Sequence, residues 1–203
     1  MSSKDSTAAF ALFTDLSDIS MAIFSDLRTL REDHVEIDMS SPYRIRGEEL
    51  DLVCDSGNFG LVRRIATAPR FAWDLSRLSN ALDAGQRWAL GHTHVRRLSR
   101  VNPKFETSHR LVLMLVMQIR RMAIASPRFA EVAFGLDATE VRALYHASDI
   151  ALIEASPQVR LTFRSDHFRD VLRIPGEMIN TQAKEAVLDL VIGASGLRRQ
   201  RVV

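Results

Sequence analysis

LVLMLVMQIRRMAIASPRFAEVAFGLDATEVRALY occupies residues 111–145, and its punctuation calls for helices. Thr107 and Ser108 can cap a helix running to about Ala125. Ser126-Pro127 interrupts or restarts it, because proline is tolerated only in a helix's first turn. Phe129, Val132, Ala133 and Phe134 carry an apolar face on to Gly135. Asp137 and Glu140 stand at capping-box spacing and open a helix with Val141, Leu144 and Tyr145 on one side. Ser148 caps a further short helix through Ile150, Leu152 and Ile153, which Ser156-Pro157 stops.

Upstream, Leu12, Leu16, Ile19, Ile23, Leu27 and Leu30 recur at steps of three and four, which predicts a helix over 8–31. Val35, Ile37 and Met39 alternate with Glu36 and Asp38, and after Ser40-Ser41-Pro42 so do Tyr43 and Ile45 with Arg44 and Arg46. That pattern predicts a small β-hairpin. Gly47 and Asp55-Ser56-Gly57-Asn58 mark loops. Leu61, Val62, Ile65 and Ala66 form a short helical face. Phe71, Trp73, Leu75, Leu78 and Leu82 form another, and Trp88 to Leu98 a third. Downstream, Val159, Leu161 and Phe163 alternate as a strand, helical spacing resumes at Phe168, and a last helix is expected over 178–192. The expected fold is mainly α: a multi-helix orthogonal bundle with a small β-hairpin in its N-terminal half. Asn102-Pro103 divides it into an N-terminal region, 1–103, and a helical domain, 104–203.

The 203 residues are 46% hydrophobic and 26% charged, ordinary globular values that exclude disorder as an overall class. Cys54 is the only cysteine, so neither an intrachain disulfide nor a cysteine-rich zinc site can form. The opening residues do not resemble a secretory signal, and the longest apolar run, Leu111 to Met117, is far short of the roughly 20 residues of a spanning helix. A cytoplasmic protein without a membrane partner is expected.

Charge is segregated. Residues 1–60 hold 5 basic and 12 acidic side chains, residues 61–121 hold 12 and 3, and residues 122–203 hold 10 of each. The middle third therefore offers a surface for an anionic partner, or for the acidic first third. Its densest part contains Arg87, Arg96, Arg97, Arg100 and Lys104, with Arg63 and Arg64 upstream. Nucleic-acid phosphates reward such density through counterion release, and these seven are the candidate nucleic-acid contacts.

Catalytic and cofactor motifs are lacking. His92-Thr93-His94 has no acidic companion between Asp83 and Glu106, so no metal site is assigned. Cys54 has no defined histidine partner, and no nucleophile elbow, P-loop or dinucleotide-binding turn occurs. The chain reads as a non-enzyme without cofactor. Phe129 to Ala147 fits helix–turn–helix spacing, with Gly135 in the turn and Phe134, Leu136, Val141 and Leu144 at buried positions. Glu131 stands where tight packing wants alanine, and only Arg142 and His146 offer DNA contacts, so a helical hairpin used for packing is the favoured reading.

A family resemblance rests on a series of segments. Leu111-Val112-Leu113-Met114-Leu115 runs into Arg120-Arg121, followed by Phe134-Gly135-Leu136-Asp137 and Leu144. The Ser148-to-Ile153 helix and Leu161-Thr162-Phe163-Arg164-Ser165-Asp166 complete it. In order and spacing, residues 111–168 resemble the FlhD subunit of the bacterial flagellar master transcriptional activator, similar versions of which accompany integrating conjugative elements. The resemblance implies a helical, dimerising subunit whose core also docks a second subunit, FlhC, which holds zinc and supplies much of the DNA contact. With one cysteine this chain is not the zinc subunit, and the 110 residues before the match have no counterpart. The expected partners are a second copy, a second regulator subunit and promoter DNA. Leu111, Leu115, Met122, Phe134, Leu144 and Ile153 are expected to form the interface. The rival is a helical adaptor of a conjugation or secretion system that binds no DNA, favoured if the middle arginines pair with the acidic first third.

Overall fold

The computed structural model describes residues 3–68, 71–76, 78–83 and 102–164. In chain order the elements are α1 (Ser3–Glu32), β1 (Tyr43–Arg44), α2 (Gly47–Cys54), α3 (Phe59–Ala66), β2 (Trp73–Ser76), α4 (78–83), α5 (Glu106–Ala125), α6 (Pro127–Phe134), α7 (Ala138–His146), α8 (Asp149–Ala155) and β3 (Arg160–Phe163). The protein is mostly helical with one small sheet, as expected from the sequence.

The spacing of α1 does what it predicts: Leu16, Ile19, Ile23, Leu27 and Leu30 form one buried stripe. The stripe faces α5, and two polar contacts set the direction of packing. Gln118 Nε2 donates to the Leu12 carbonyl at 3.0 Å, and Ser108 Oγ donates to Asp26 Oδ2 at 2.6 Å, so the two helices run antiparallel. Val112, Leu115, Val116, Ile119 and Met122 of α5 fill the other side. Each fully buried aliphatic side chain contributes about 1.5–3 kcal/mol, which makes this helix pair the main source of cohesion. α1 stops at His34, whose φ of 55° is left-handed, and Val35 N closes the end by donating to the Leu30 carbonyl at 2.8 Å.

The three-stranded sheet has the order β1-β3-β2, with β1 parallel and β2 antiparallel to β3. Tyr43 stands opposite Leu161, and Trp73 opposite Phe163. Leu161 and Phe163 point inward, as their alternation predicts. Trp73 gathers Phe24, Tyr43 and Phe163 within 5.2–5.9 Å ring-centroid distances, tying α1 to all three strands.

Three local expectations need correction. The hairpin over 35–46 does not form. Asp38 Oδ1 instead accepts from Ser40 N and Oγ at 2.7 and 2.6 Å, which turns the chain. The Arg44 guanidinium then takes up the carbonyls of Met39, Ser41 and Tyr43 at 2.8–3.0 Å, leaving Tyr43–Arg44 to pair with β3. Gly47 is not in a loop but opens α2, where Glu49 accepts from Arg46 N at 3.1 Å. The apolar set from Phe71 to Leu82 is not one helical face. Trp73 and Leu75 are buried on a strand with exposed Asp74 between them, and Leu78 and Leu82 belong to α4.

The core is continuous across the 103/104 junction: Leu16, Tyr43, Trp73 and Leu82 share one interior with Phe105, Leu115, Phe134 and Phe163. Among the described residues no helix is long and apolar enough to cross a membrane.

Candidate nucleic-acid and partner surfaces

Of the seven basic candidates, the structure places three. Arg63 and Arg64 lie in the last turn of α3, the first exposed and the second half-buried. Lys104 is exposed on the tight turn Pro103–Phe105, where Asn102 Oδ1 accepts from its backbone N–H at 3.1 Å. Its charge acts on Asp38, whose carboxyl is held below the ordinary range chiefly by the hydrogen bonds from Ser40. Arg87, Arg96, Arg97 and Arg100 lie outside the described residues, as do His92 and His94. Among the described residues no group of three or more His, Cys, Asp or Glu side chains is placed to hold a metal ion.

The expected interface residues are largely not at a surface. Leu115, Met122, Phe134 and Leu144 are at most 3% exposed within one chain. They belong to the buried core shared with α1 and the sheet, so they cannot touch a partner directly. Leu111 is half-buried, and Ile153 is 39% exposed. Among the described residues of this half, the large apolar side chains left open are Met114, Ile124, Val132, Tyr145, Ile150 and Ile153, of which only Ile153 was among the expected six.

One ion pair and one longer-range charge effect link α5 to the chain around α8. Arg120 of α5 pairs with Asp149 at the start of α8, and Arg160, beyond α8, acts electrostatically on His109. α8 and the turn that follows it both pack on α5, so Ile124, Ile150 and Ile153 are exposed on neighbouring elements. Met114 of α5 is exposed too, about one turn before the half-buried Met117.

The α6–α7 unit is built from local signals. Ser126 and Pro127 begin α6, and Gly135 ends it with φ 67°, a left-handed conformation that costs other residues about 1–2 kcal/mol. Leu136 is buried beneath the turn. Asp137 Oδ1 then accepts from Glu140 N at 2.8 Å while Glu140 Oε2 accepts from Asp137 N at 3.1 Å, closing the capping box that the sequence predicts. Ala130, Ala133, Phe134, Val141 and Leu144 face inward, and Glu131 is half-buried. The unit is anchored to the sheet by Phe71 N donating to the Ala133 carbonyl at 2.9 Å. Arg164 lies over the turn, its Nη2 3.3 Å from Asp74 Oδ1. Burial first, and the neighbouring carboxylates Asp137 and Asp74 after it, push the Glu140 carboxyl up.

The outer face of α7 is open. Thr139, Arg142, Tyr145 and His146 are exposed. Arg142 and His146 were legible as candidate contacts from the sequence. Thr139 of α7 and Arg128 of α6 are exposed as well.

No family model, no curated protein and no solved structure matches this chain.

Proposed function

We propose that this chain is an FlhD-like subunit of a transcription-regulatory assembly, acting as a dimer or with a second subunit on promoter DNA. The observation that carries the reading is the open apolar side of α5 and α8. The interior of one chain is already filled, yet Met114, Ile124, Ile150 and Ile153 remain 39–57% exposed on neighbouring elements. Exposed apolar residues grouped in this way mark association surfaces. Assembly on DNA would be held by phosphate contacts from Arg87, Arg96, Arg97, Arg100 and Lys104, the part of the sequence richest in cations and poorest in anions. The four core residues first expected at the interface are replaced in this reading by the open ones.

A second reading, a helical adaptor that binds no DNA, is favoured by one juxtaposition: the charge of Lys104 in the basic third helps, after the Ser40 hydrogen bonds, to lower the Asp38 carboxyl of the acidic third. Two measurements separate the readings. Light scattering across a concentration series, alone and after co-purification from the native host, should report a mass above one chain or a recovered companion. Fluorescence anisotropy on duplex DNA should show a steep salt dependence that flattens when Arg96, Arg97 and Arg100 are changed together to Ala. An unchanged slope removes the arginines from the DNA contact, and no DNA binding at all leaves the adaptor.

A further inference from the structure

We propose that the turn at residues 38–40 is a latch on the start of α5 that acid opens, with His109 as its trigger. The device belongs to the single chain and does not depend on what the chain binds.

The latch is built around Ser40. Its N–H and its hydroxyl both donate to Asp38 Oδ1, at 2.7 and 2.6 Å, which closes the turn on itself. Two side chains then tie Ser40 to the helix side. Asn102 Nδ2 donates to Ser40 Oγ at 3.1 Å, while Asn102 Oδ1 accepts from Lys104 N and so fixes which way the amide points. The His109 ring makes the second tie, to the Ser40 backbone. Asp38 and Met39 are exposed, so no buried apolar side chain holds the tip down. The bonds from Arg44 to the Asp38 and Met39 carbonyls also lie at the surface, where water can replace them. Behind the tip the chain is anchored: Ser41 and Pro42 are buried, and Leu161 N donates to the Pro42 carbonyl at 2.8 Å. The tip can therefore lift while the strand pairing of β1 persists. Surface segments with few buried apolar contacts are the ones that open locally.

The trigger follows from the surroundings of His109. The residue is 8% exposed, and its Nδ1 has no hydrogen-bond partner. A neutral imidazole tolerates that, because the free nitrogen is an acceptor with no proton to place. A protonated one carries a donor on each nitrogen, so the closed chain would bury an unpaired donor together with a charge. Arg160, at the start of β3, adds a like charge. Burial first and Arg160 second hold the imidazole below its ordinary value of 6.5, against the Ser40 bond, which favours the proton. The other charges on the neighbouring elements are Asp38 and Lys104 on the two turns, and Glu106 and Arg110 on α5, which pair with each other. Asp38 stays ionised throughout mild acid, because its Ser40 bonds hold it below 3.8. Lifting the tip gives the His109 ring water, so proton uptake favours the open form. The closed form is at full strength above pH 6.5, and below it opening increases by at most about ten-fold per pH unit.

The test is hydrogen–deuterium exchange of the full chain at pH 7.5 and 5.5, read as protection factors so that the intrinsic exchange rate cancels. Protection at residues 38–41 should fall several-fold, at most about ten-fold, on acidification. That fall should be the same with and without about 1 M urea, since a local opening exposes little surface, whereas exchange over 16–30 of α1 should accelerate with urea. His109→Gln, neutral at both pH values and still a donor toward Ser40, should lose the acid response. Asp38→Asn should loosen the turn at both pH values and keep the response. A nuclear magnetic resonance titration of the His109 ring in the wild type needs no variant to fold, and its midpoint should lie below 6.5 and coincide with that of the loosening. Equal protection at both pH values overturns the latch, and so does loosening at 38–41 that follows urea as α1 does. An acid response that survives in His109→Gln or vanishes in Asp38→Asn, or a His109 midpoint at or above 6.5 or apart from that of the loosening, removes His109 as its trigger.

Discussion

Ser108 Oγ donates to Asp26 Oδ2 across 2.6 Å, and the Tyr43 hydroxyl donates to the same oxygen at 2.8 Å. One carboxylate oxygen thus joins α1, β1 and α5, and both donors are fully buried. Burial first, and the Asp26 charge after it, push the Tyr43 phenol far above its ordinary value, so it stays protonated and keeps donating. Asp26→Ala would strand two buried donors, at about 1–3 kcal/mol each. The expected loss is about 2–4 kcal/mol by urea unfolding. Tyr43→Phe, which removes a donor and strands nothing, should cost about 1 kcal/mol. Equal losses for the two variants would show that the shared oxygen is not what matters.

His109 gives stability a pH dependence. It is buried near the start of α5, and its Nδ1 has no hydrogen-bond partner. Burial, then the Arg160 charge, hold the imidazole below its ordinary value of 6.5, while a backbone hydrogen bond with Ser40 works the other way. The unfolded chain therefore takes up this proton more readily than the folded one, and protonation favours unfolding. This contribution is whole above pH 6.5 and is lost progressively below it. Urea midpoints at pH 7.5 and 5.5 should differ less for His109→Gln than for the wild type. A pH dependence identical in both proteins would assign the effect to other groups.

At Gly135 two penalties can be separated. A Cβ there must adopt φ 67° and would also lie 2.6 Å from Arg164 Nη2. The first penalty is about 1–2 kcal/mol and unavoidable, whereas the second can be relieved by moving the end of a flexible side chain. Gly135→Ala should cost about 1–3 kcal/mol in the wild-type background and about 1–2 kcal/mol when Arg164 is already Ala, the difference being the coupling between the two sites. A double-mutant cycle by thermal or urea unfolding measures it. A cost near zero would mean that the turn accommodates a side chain without strain.

What could be read in the sequence was what is decided locally. The stripe from Leu16 to Leu30, the Asp137–Glu140 box, the Ser148 cap and the break at Ser126-Pro127 each depend on residues within about one turn, and each appears where its spacing puts it. Tyr43-Arg44 carries a strand signal, but its partner is Leu161-Thr162, far along the chain, and alternation does not name a partner. Trp73 to Leu82 supports either period, and only the pairing of Trp73 with Phe163 makes its first part a strand. Ser108, eligible as a cap by its chemistry, is drawn inside by Asp26. Leu111 to Met117 is apolar throughout, so its periodicity is erased and nothing local separates the side chains facing in from those facing out.

That erased periodicity makes Leu115 and Met114 an informative pair. They are adjacent in sequence and similar in hydrophobicity and volume, but Leu115 is 0% exposed and Met114 is 53% exposed. Leu115→Ala should cost about 2–5 kcal/mol, the range for a large-to-small change in a packed core. Met114→Ala should stay within about 0.5 kcal/mol, as surface changes do. Self-association should respond in the opposite order. Met114→Glu, combined with Ile153→Glu, would bury carboxylates in any interface built on the open side of α5 and α8, so the variant should remain folded and lose mass by light scattering at concentrations where the wild type is assembled. Leu115→Ala, if still folded under native conditions, should keep that mass. A doubly charged variant that assembles like the wild type would place the contact elsewhere on the molecule, and a severe folding defect in Met114→Ala would mean that the open side is occupied within the chain itself.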